Sequence, residues 1–117
     1  MANSTIKAMA TKAELKNKIT MTHIKSVETT GTQSVPDLSD YDIIFITIYD
    51  TGNYAVHGSN MVSYDTFKLY NTSAHALGIS CYLTARAYFY VSYNTDTSIY
   101  AQVSSGFGGA IYGVKLS

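Results

Sequence analysis

Tyr41-Asp42-Ile43-Ile44-Phe45-Ile46-Thr47-Ile48-Tyr49 is the stretch on which the reading of the fold turns. Two-residue alternation places Tyr41, Ile43, Phe45, Thr47 and Tyr49 on one side and Asp42, Ile44, Ile46 and Ile48 on the other. β-branched and aromatic residues at this density favour a strand over a helix. Both sides are apolar in the middle. A strand of that kind is interior to a packed sheet or pressed against another subunit. The stretch therefore predicts a strand from Tyr41 to Tyr49, with Ile44, Ile46 and Ile48 at an oligomer interface.

The same alternation extends toward the C-terminus. Asp50-Thr51-Gly52-Asn53 has turn chemistry, Tyr54 to His57 returns the chain, and Met61 to Leu69 alternates as a half-exposed strand. Ile79 to Tyr93 alternates longest. Ile79, Cys81, Leu83, Ala85, Ala87, Phe89 and Val91 form its core side. Ser80, Tyr82, Thr84, Arg86, Tyr88, Tyr90 and Ser92 form a tyrosine-rich wall with one arginine. Tyr88 and Tyr90 on that wall join the interface expectation. Asn94-Thr95-Asp96-Thr97 supplies a turn into Ser98 to Ser104, and those two strands should pair as an antiparallel hairpin. Gly106-Phe107-Gly108-Gly109 reads as a glycine turn before a last strand, Ala110 to Leu116. Six or seven short strands with regularly spaced turns describe an all-β fold, an antiparallel β-sandwich of jelly-roll type.

Toward the N-terminus the character changes. The first 25 residues carry Lys7, Lys12, Lys16, Lys18 and Lys25 against Glu14, a net of +4, and the remainder carries −4. Thr11-Lys12-Ala13-Glu14 has the form of a capping box, and Leu15 and Ile19 fall one turn apart on one helical face. The pattern predicts a short helix from Lys12 to Ile19, too short to persist without a surface to pack on. It also predicts a division into a basic attachment arm, residues 1–25, and a sandwich domain, residues 26–117. A short strand from His23 to Glu28 and a loop from Thr29 to Pro36 lead into the decisive stretch.

Length and composition bound the function. A chain of 117 residues makes one domain, large enough to bury a core without disulfides or metal. Eight basic and eight acidic residues cancel, which argues against nucleic acid as a partner. The start of the chain lacks the apolar run of a signal peptide, and no apolar stretch approaches the length of a membrane-spanning helix. The lone Cys81 reads as a small apolar side chain rather than a reactive thiol.

No enzyme signature stands in the sequence: there is no Gly-x-Ser-x-Gly, no His-Glu-x-x-His, no paired-cysteine spacing and no phosphate loop. No catalytic residue, metal ligand or cofactor is therefore expected. Asp37-Leu38-Ser39-Asp40-Tyr41-Asp42 resembles a calcium loop only superficially, lacking the glycine and distant glutamate, so its carboxylates are assigned to local hydrogen bonds. His23, His57 and His75 lack metal-ligand spacing. Eleven tyrosines remain. A phenol offers a flat apolar face with a hydroxyl at its edge, which suits subunit interfaces and the stacking of sugar rings. Loops bearing Tyr54, Tyr70, Tyr93, Asn94 and Asp96 are the candidate ligand-binding set.

The loop ending in Asp37-Leu38-Ser39-Asp40-Tyr41-Asp42-Ile43-Ile44-Phe45, the run Tyr88-Phe89-Tyr90-Val91-Ser92-Tyr93, Thr97-Ser98-Ile99, and the closing Ile111-Tyr112-Gly113-Val114-Lys115 together resemble a family of small phage structural domains. These sit at the ends of tail or head fibres and in minor tail proteins of phages of Firmicutes and other gut bacteria. The resemblance covers Leu38 to Leu116. It implies a β-sandwich, commonly a homotrimer, made in the host bacterial cytoplasm and serving in virion architecture or host-surface adhesion. The N-terminal arm, through Leu15 and Ile19, would then dock to capsid or tail proteins. The alternative is a lectin-like module that recognises bacterial surface glycans.

Overall fold

The computed structural model describes residues 18–69, 77–82 and 86–116. Two four-stranded antiparallel sheets face one another. The first contains β1 (Ile19–Val27), β8 (Phe107–Leu116), β3 (Ile43–Asp50) and β4 (Val56–Ser63), in that order; the second contains β2 (Gly31–Ser34), β7 (Ser98–Val103), β6 (Arg86–Thr95) and β5 (Leu77–Tyr82). The β-sandwich expected from the alternation is present.

The core lies between the sheets. Ile44, Ile46 and Ile48 of β3 are 0% exposed, packed with Ile111, Phe89, Val91, Ile99 and Ala101. This corrects the interface expectation for those three isoleucines, which one chain consumes entirely. The second apolar side of the strand, Ile43, Phe45 and Thr47, is the side left half-exposed. Tyr88 and Tyr90 lie elsewhere, together on the outer surface of the other sheet, so the five expected interface residues do not form one surface.

Three further expectations change. Ile19 belongs to β1, opposite Leu116, and β1 follows β8 from Ile19 to Val27 with a bulge between His23 and Lys25. Ile19 to Lys25 are therefore part of the sandwich, and the division at residue 25 falls too late. Ile19 is not on a helical face; Lys18, just before it, is helical, and Lys12 to Asn17, with Leu15, lie outside the described residues. Deleting residues 1–22 removes four residues of β1 and their ladder to β8, so a thermal melt should show a lower midpoint than the full chain.

Met61 to Leu69 is not one strand. β4 ends at Ser63 and a short helix, α1 (Tyr64–Leu69), follows. The Ser63 hydroxyl accepts from the Thr66 backbone N–H at 3.1 Å, the N-cap geometry, with Asp65 in the first turn and Lys68 in the last. Phe67 then points into the core, fully buried.

The long alternation from Ile79 to Tyr93 is two strands of one hairpin, with Cys81 opposite Ala87 and Leu77 opposite Val91. Cys81 is half-buried on the inner side. The β6–β7 hairpin forms as the turn residues predict. Gly108 and Gly109 are strand residues rather than a turn; Gly106, at φ +85°, makes the turn. The strand that follows crosses to the other sheet instead of closing a hairpin.

Candidate functional site

The expected ligand residues do not converge. Tyr54 sits in the turn between β3 and β4, at φ 59°, where Asp50 Oδ1 accepts from the Gly52 N–H at 2.7 Å and the Tyr54 N–H donates to the Asp50 carbonyl at 2.7 Å. A non-glycine residue in this left-handed region is uncommon, and the turn hydrogen bonds hold it there. Its ring leans on Tyr49, 5.8 Å away. Tyr49 in turn donates to Glu28 Oε2 at 3.0 Å, and burial together with that carboxylate pushes its pKa up to about 12. Tyr93, Asn94 and Asp96 lie at the other end of the sandwich. The link is Tyr64, which follows Ser63 opposite Ile43, whereas Tyr54 follows the far end of the same β3–β4 hairpin. Tyr70 lies outside the described residues.

Around Asp96 the side chains form a closed structural cluster. Tyr64 and Tyr93 both donate to Asp96 Oδ1, at 2.5 and 2.8 Å, while the Asp96 carbonyl accepts from the Leu38 N–H at 2.7 Å. Tyr93 is only 7% exposed, with its ring edge-on to Phe67. It is a core residue with its hydroxyl anchored, which corrects its expected place as an exposed stacking platform. Asn94 is exposed and donates to the Ser98 hydroxyl at 3.2 Å. Sequence reading missed Tyr64, since the strand assigned to it put its side chain on a sheet face; the Ser63-x-x-Thr66 cap was the available signal.

The cluster has a pH signature. Two phenol donors hold the Asp96 carboxyl below its ordinary value of 3.8. The hydrogen bond to Asp96, then burial, raises Tyr64 above the ordinary tyrosine value of 10.0, and burial followed by the same carboxylate raises Tyr93. A depressed carboxyl contributes stability that is present above its unfolded value and is lost as pH falls through the folded one. A raised phenol contributes stability that is present below about pH 10 and is lost as pH rises through its folded value. Melting temperature should therefore fall at both extremes, and Tyr64→Phe should shrink both losses. A melting profile from pH 2.5 to 12 that Tyr64→Phe leaves unchanged in shape would show that this cluster does not govern it.

Of the aspartates at the start of the decisive stretch, Asp37 has the expected local partner and Asp42 a distant one. Asp37 Oδ1 accepts from the Ser39 N–H at 3.0 Å and from its hydroxyl at 2.6 Å, beginning the 3₁₀ turn Leu38–Asp40. Asp42 Oδ2 accepts from the Leu116 N–H at 2.7 Å. Among the described residues no group of His, Cys, Asp and Glu has the arrangement of a metal site.

Two sheet faces remain. On the outer face of the β2-β7-β6-β5 sheet, Tyr88 and Tyr90 stack with centroids 5.1 Å apart and planes at 16°. Arg86 donates from Nη2 to the Tyr90 hydroxyl at 3.0 Å and lies 5.7 Å from the centre of the Tyr88 ring. Tyr90 covers Gly78, where an added Cβ would meet its ring at 2.5 Å. Gln102 opposite Tyr90 and Ser92 opposite Tyr100 complete this face, and Gln102 Oε1 and Ser92 Oγ are buried without a partner among the described residues.

The outer face of the β1-β8-β3-β4 sheet has the opposite chemistry. Register sets Met21, Val114, Ile43 and Ser63 in one row across the four strands, His23, Tyr112, Phe45 and Met61 in the next, and Ser26, Ala110, Thr47 and Ser59 in the third. None of these residues is Asp, Glu, Lys or Arg. The His23 ring stands edge-on to Tyr112 at 5.4 Å, and Tyr112 lies 5.8 Å from Phe45. Comparison with protein-family models, with curated proteins and with solved structures found no match in any of the three.

Proposed function

We propose that the chain is a structural domain of a phage virion, a short fibre or decoration on head or tail that works as a homo-oligomer, trimeric as the resemblance implies. The observation that carries this reading is the three uncharged rows on the outer face of the β1-β8-β3-β4 sheet, from Ile43 to Thr47 of β3. Exposed sheet surfaces normally carry charges that keep them in water, and a broad uncharged apolar face is a surface for burial against protein. The two-sheet antiparallel architecture is compatible with this reading: β1 lies beside β8 and β2 beside β7, while β3–β4 and β5–β6 are hairpins within one sheet each. In this reading the basic segment before β1 attaches the domain to capsid or tail proteins. It needs no catalytic residue and no cofactor. Peptide mass spectrometry and immunogold labelling of purified particles, from a phage whose genome encodes this sequence, should find the protein in the virion. Recovery only from the unassembled cytoplasmic fraction of the host would overturn the reading.

A second reading, glycan recognition at the bacterial surface, is favoured by one observation: the Tyr88–Tyr90 stack with the Arg86 guanidinium beside it on the outer face. Stacked phenols provide the flat area a sugar ring covers, and polar atoms nearby select its hydroxyls. The site then shifts from the expected loops to the sheet face. A glycan array probed with the purified protein should give signals that Tyr88→Ala removes; an array blank for the wild type would leave the structural reading alone.

A further inference from the structure

We infer that the occupant of the β1-β8-β3-β4 outer face is a neighbouring copy of this same chain, an inference that rests on the assembly reading and names the partner of that face. Met21 and Met61, on opposite edge strands, are 54% and 58% exposed, and Ile19 and Leu116, paired at one end, are 50% and 52% exposed. Between them run Ile43, Phe45, Tyr112 and Val114 without a charged residue. The apolar side chains thus form one contiguous patch across the sheet rather than scattered single residues, with Val114 covered by its neighbours at its centre.

Two arguments choose the occupant. The first is charge. A basic or acidic partner would find no counter-charge in the three rows, and His23 is the one ionisable group there besides tyrosine, its Nε2 already 2.9 Å from the Ser26 hydroxyl. The chemistry such a face matches is its own: apolar, uncharged and regularly ridged. The second is area. The eight-residue register of β3 on β8, at about 3.3 Å per residue, and four strands about 4.8 Å apart span about 500 Å², the three uncharged rows together with the Tyr49 end, where Glu28 adds a carboxylate at the edge. Two such faces together reach about 1,000 Å², the lower bound for a specific interface. Packed face to face in this way, two copies form a closed two-fold pair rather than the trimer that the resemblance implies, and their side chains interdigitate as the two sheets of a sandwich do.

The test uses the full chain. Native mass spectrometry should give an oligomer, and in it Met21 and Met61 should resist oxidation by hydrogen peroxide, since exposed thioethers oxidise and buried ones do not. The double substitution Met21→Lys and Met61→Lys, at positions exposed enough to leave each chain folded, should yield a monomer with unchanged circular dichroism. Thr32→Lys, on the outer face of the other sheet, should remain oligomeric. An oligomer that survives the double substitution would overturn the choice of face and leave the assembly reading standing. A wild-type monomer with both methionines protected would mean that the chain's own N-terminal segment covers the face. A monomer with both methionines reactive would overturn the inference and the oligomeric reading together.

Discussion

Phe89→Ala should destabilise the fold by about 3–5 kcal/mol in chemical denaturation, the cost of emptying a fully buried aromatic site whose surroundings cannot collapse into it. The site is poorly placed to relax. Phe89 stands on β6, an interior strand of its sheet, and its ring reaches across the sandwich to lie over Gly109 of β8, an interior strand of the other. Both backbones are held by ladders on two sides, so neither can move in to fill the space. Tyr88→Ala, one residue earlier and on the opposite face, should cost about 0.5–1.5 kcal/mol, the worth of its stacking on Tyr90. The pair of measurements locates the core. Equal losses would mean that the tyrosine face is buried as deeply as the interior.

Gly109→Ala should be the companion lesion. A Cβ at this position would fall within the Phe89 ring, and overpacking of this kind costs about 1–3 kcal/mol or more. Gly109 is not in the left-handed region, so alanine meets no backbone obstacle there, and the loss is purely steric. That gives the prediction a sharper form. In the Phe89→Ala background the ring is gone, and Gly109→Ala should then be close to neutral. A double-mutant cycle should return a coupling of the order of the overpacking cost. Additive losses would show that Phe89 and Gly109 do not share one space. The same geometry explains why the glycine-rich run near the C-terminus misleads as a turn. Gly106 makes the turn, but the glycines after it are spacers under aromatic rings: Phe89 over Gly109 on the inner side, Tyr49 over Gly108 on the outer, and, further along the strand, Tyr41 over Gly113.

Much of the architecture was legible because strand periodicity is a local property. Alternation at Tyr41–Tyr49, Arg86–Tyr93 and Ser98–Ser104 reports which side chains share a face; the core sides so read in the last two meet in the interior, while at Tyr41–Tyr49 both sides are apolar and the side expected at an interface is the core one. Alternation does not report where a strand stops. Between Tyr82 and Arg86 the sequence has neither glycine nor proline, and the parity of Ile79 and Cys81 matches that of Ala87 and Phe89, so a hairpin reads as one continuous strand. At Met61–Leu69 the two-residue pattern continues through a helix, because a six-residue helix needs only one buried side chain, Phe67, to justify it. In both places the local signal fits two structures, and long-range packing selects between them.

The sequence by itself determined a tyrosine-rich chain of zero net charge, its β class, the apolar identity of both sides of β3, and the lack of any enzyme signature. Only the tertiary structure decided which apolar side of β3 became core. Ile44, Ile46 and Ile48 face the second sheet, so Ile43 and Phe45 are left on the outside beside Tyr112 and Met61. It also decided that Tyr93 and Asp96 serve the fold with Tyr64, residues 29 positions apart at the nearest in sequence to that partner, and that Tyr54 stands at the opposite end. The reason is physical: periodicity assigns side chains to faces within one strand, but which faces meet, and which stay open for a partner, follows from how strands distant in sequence pair and how the two sheets stack.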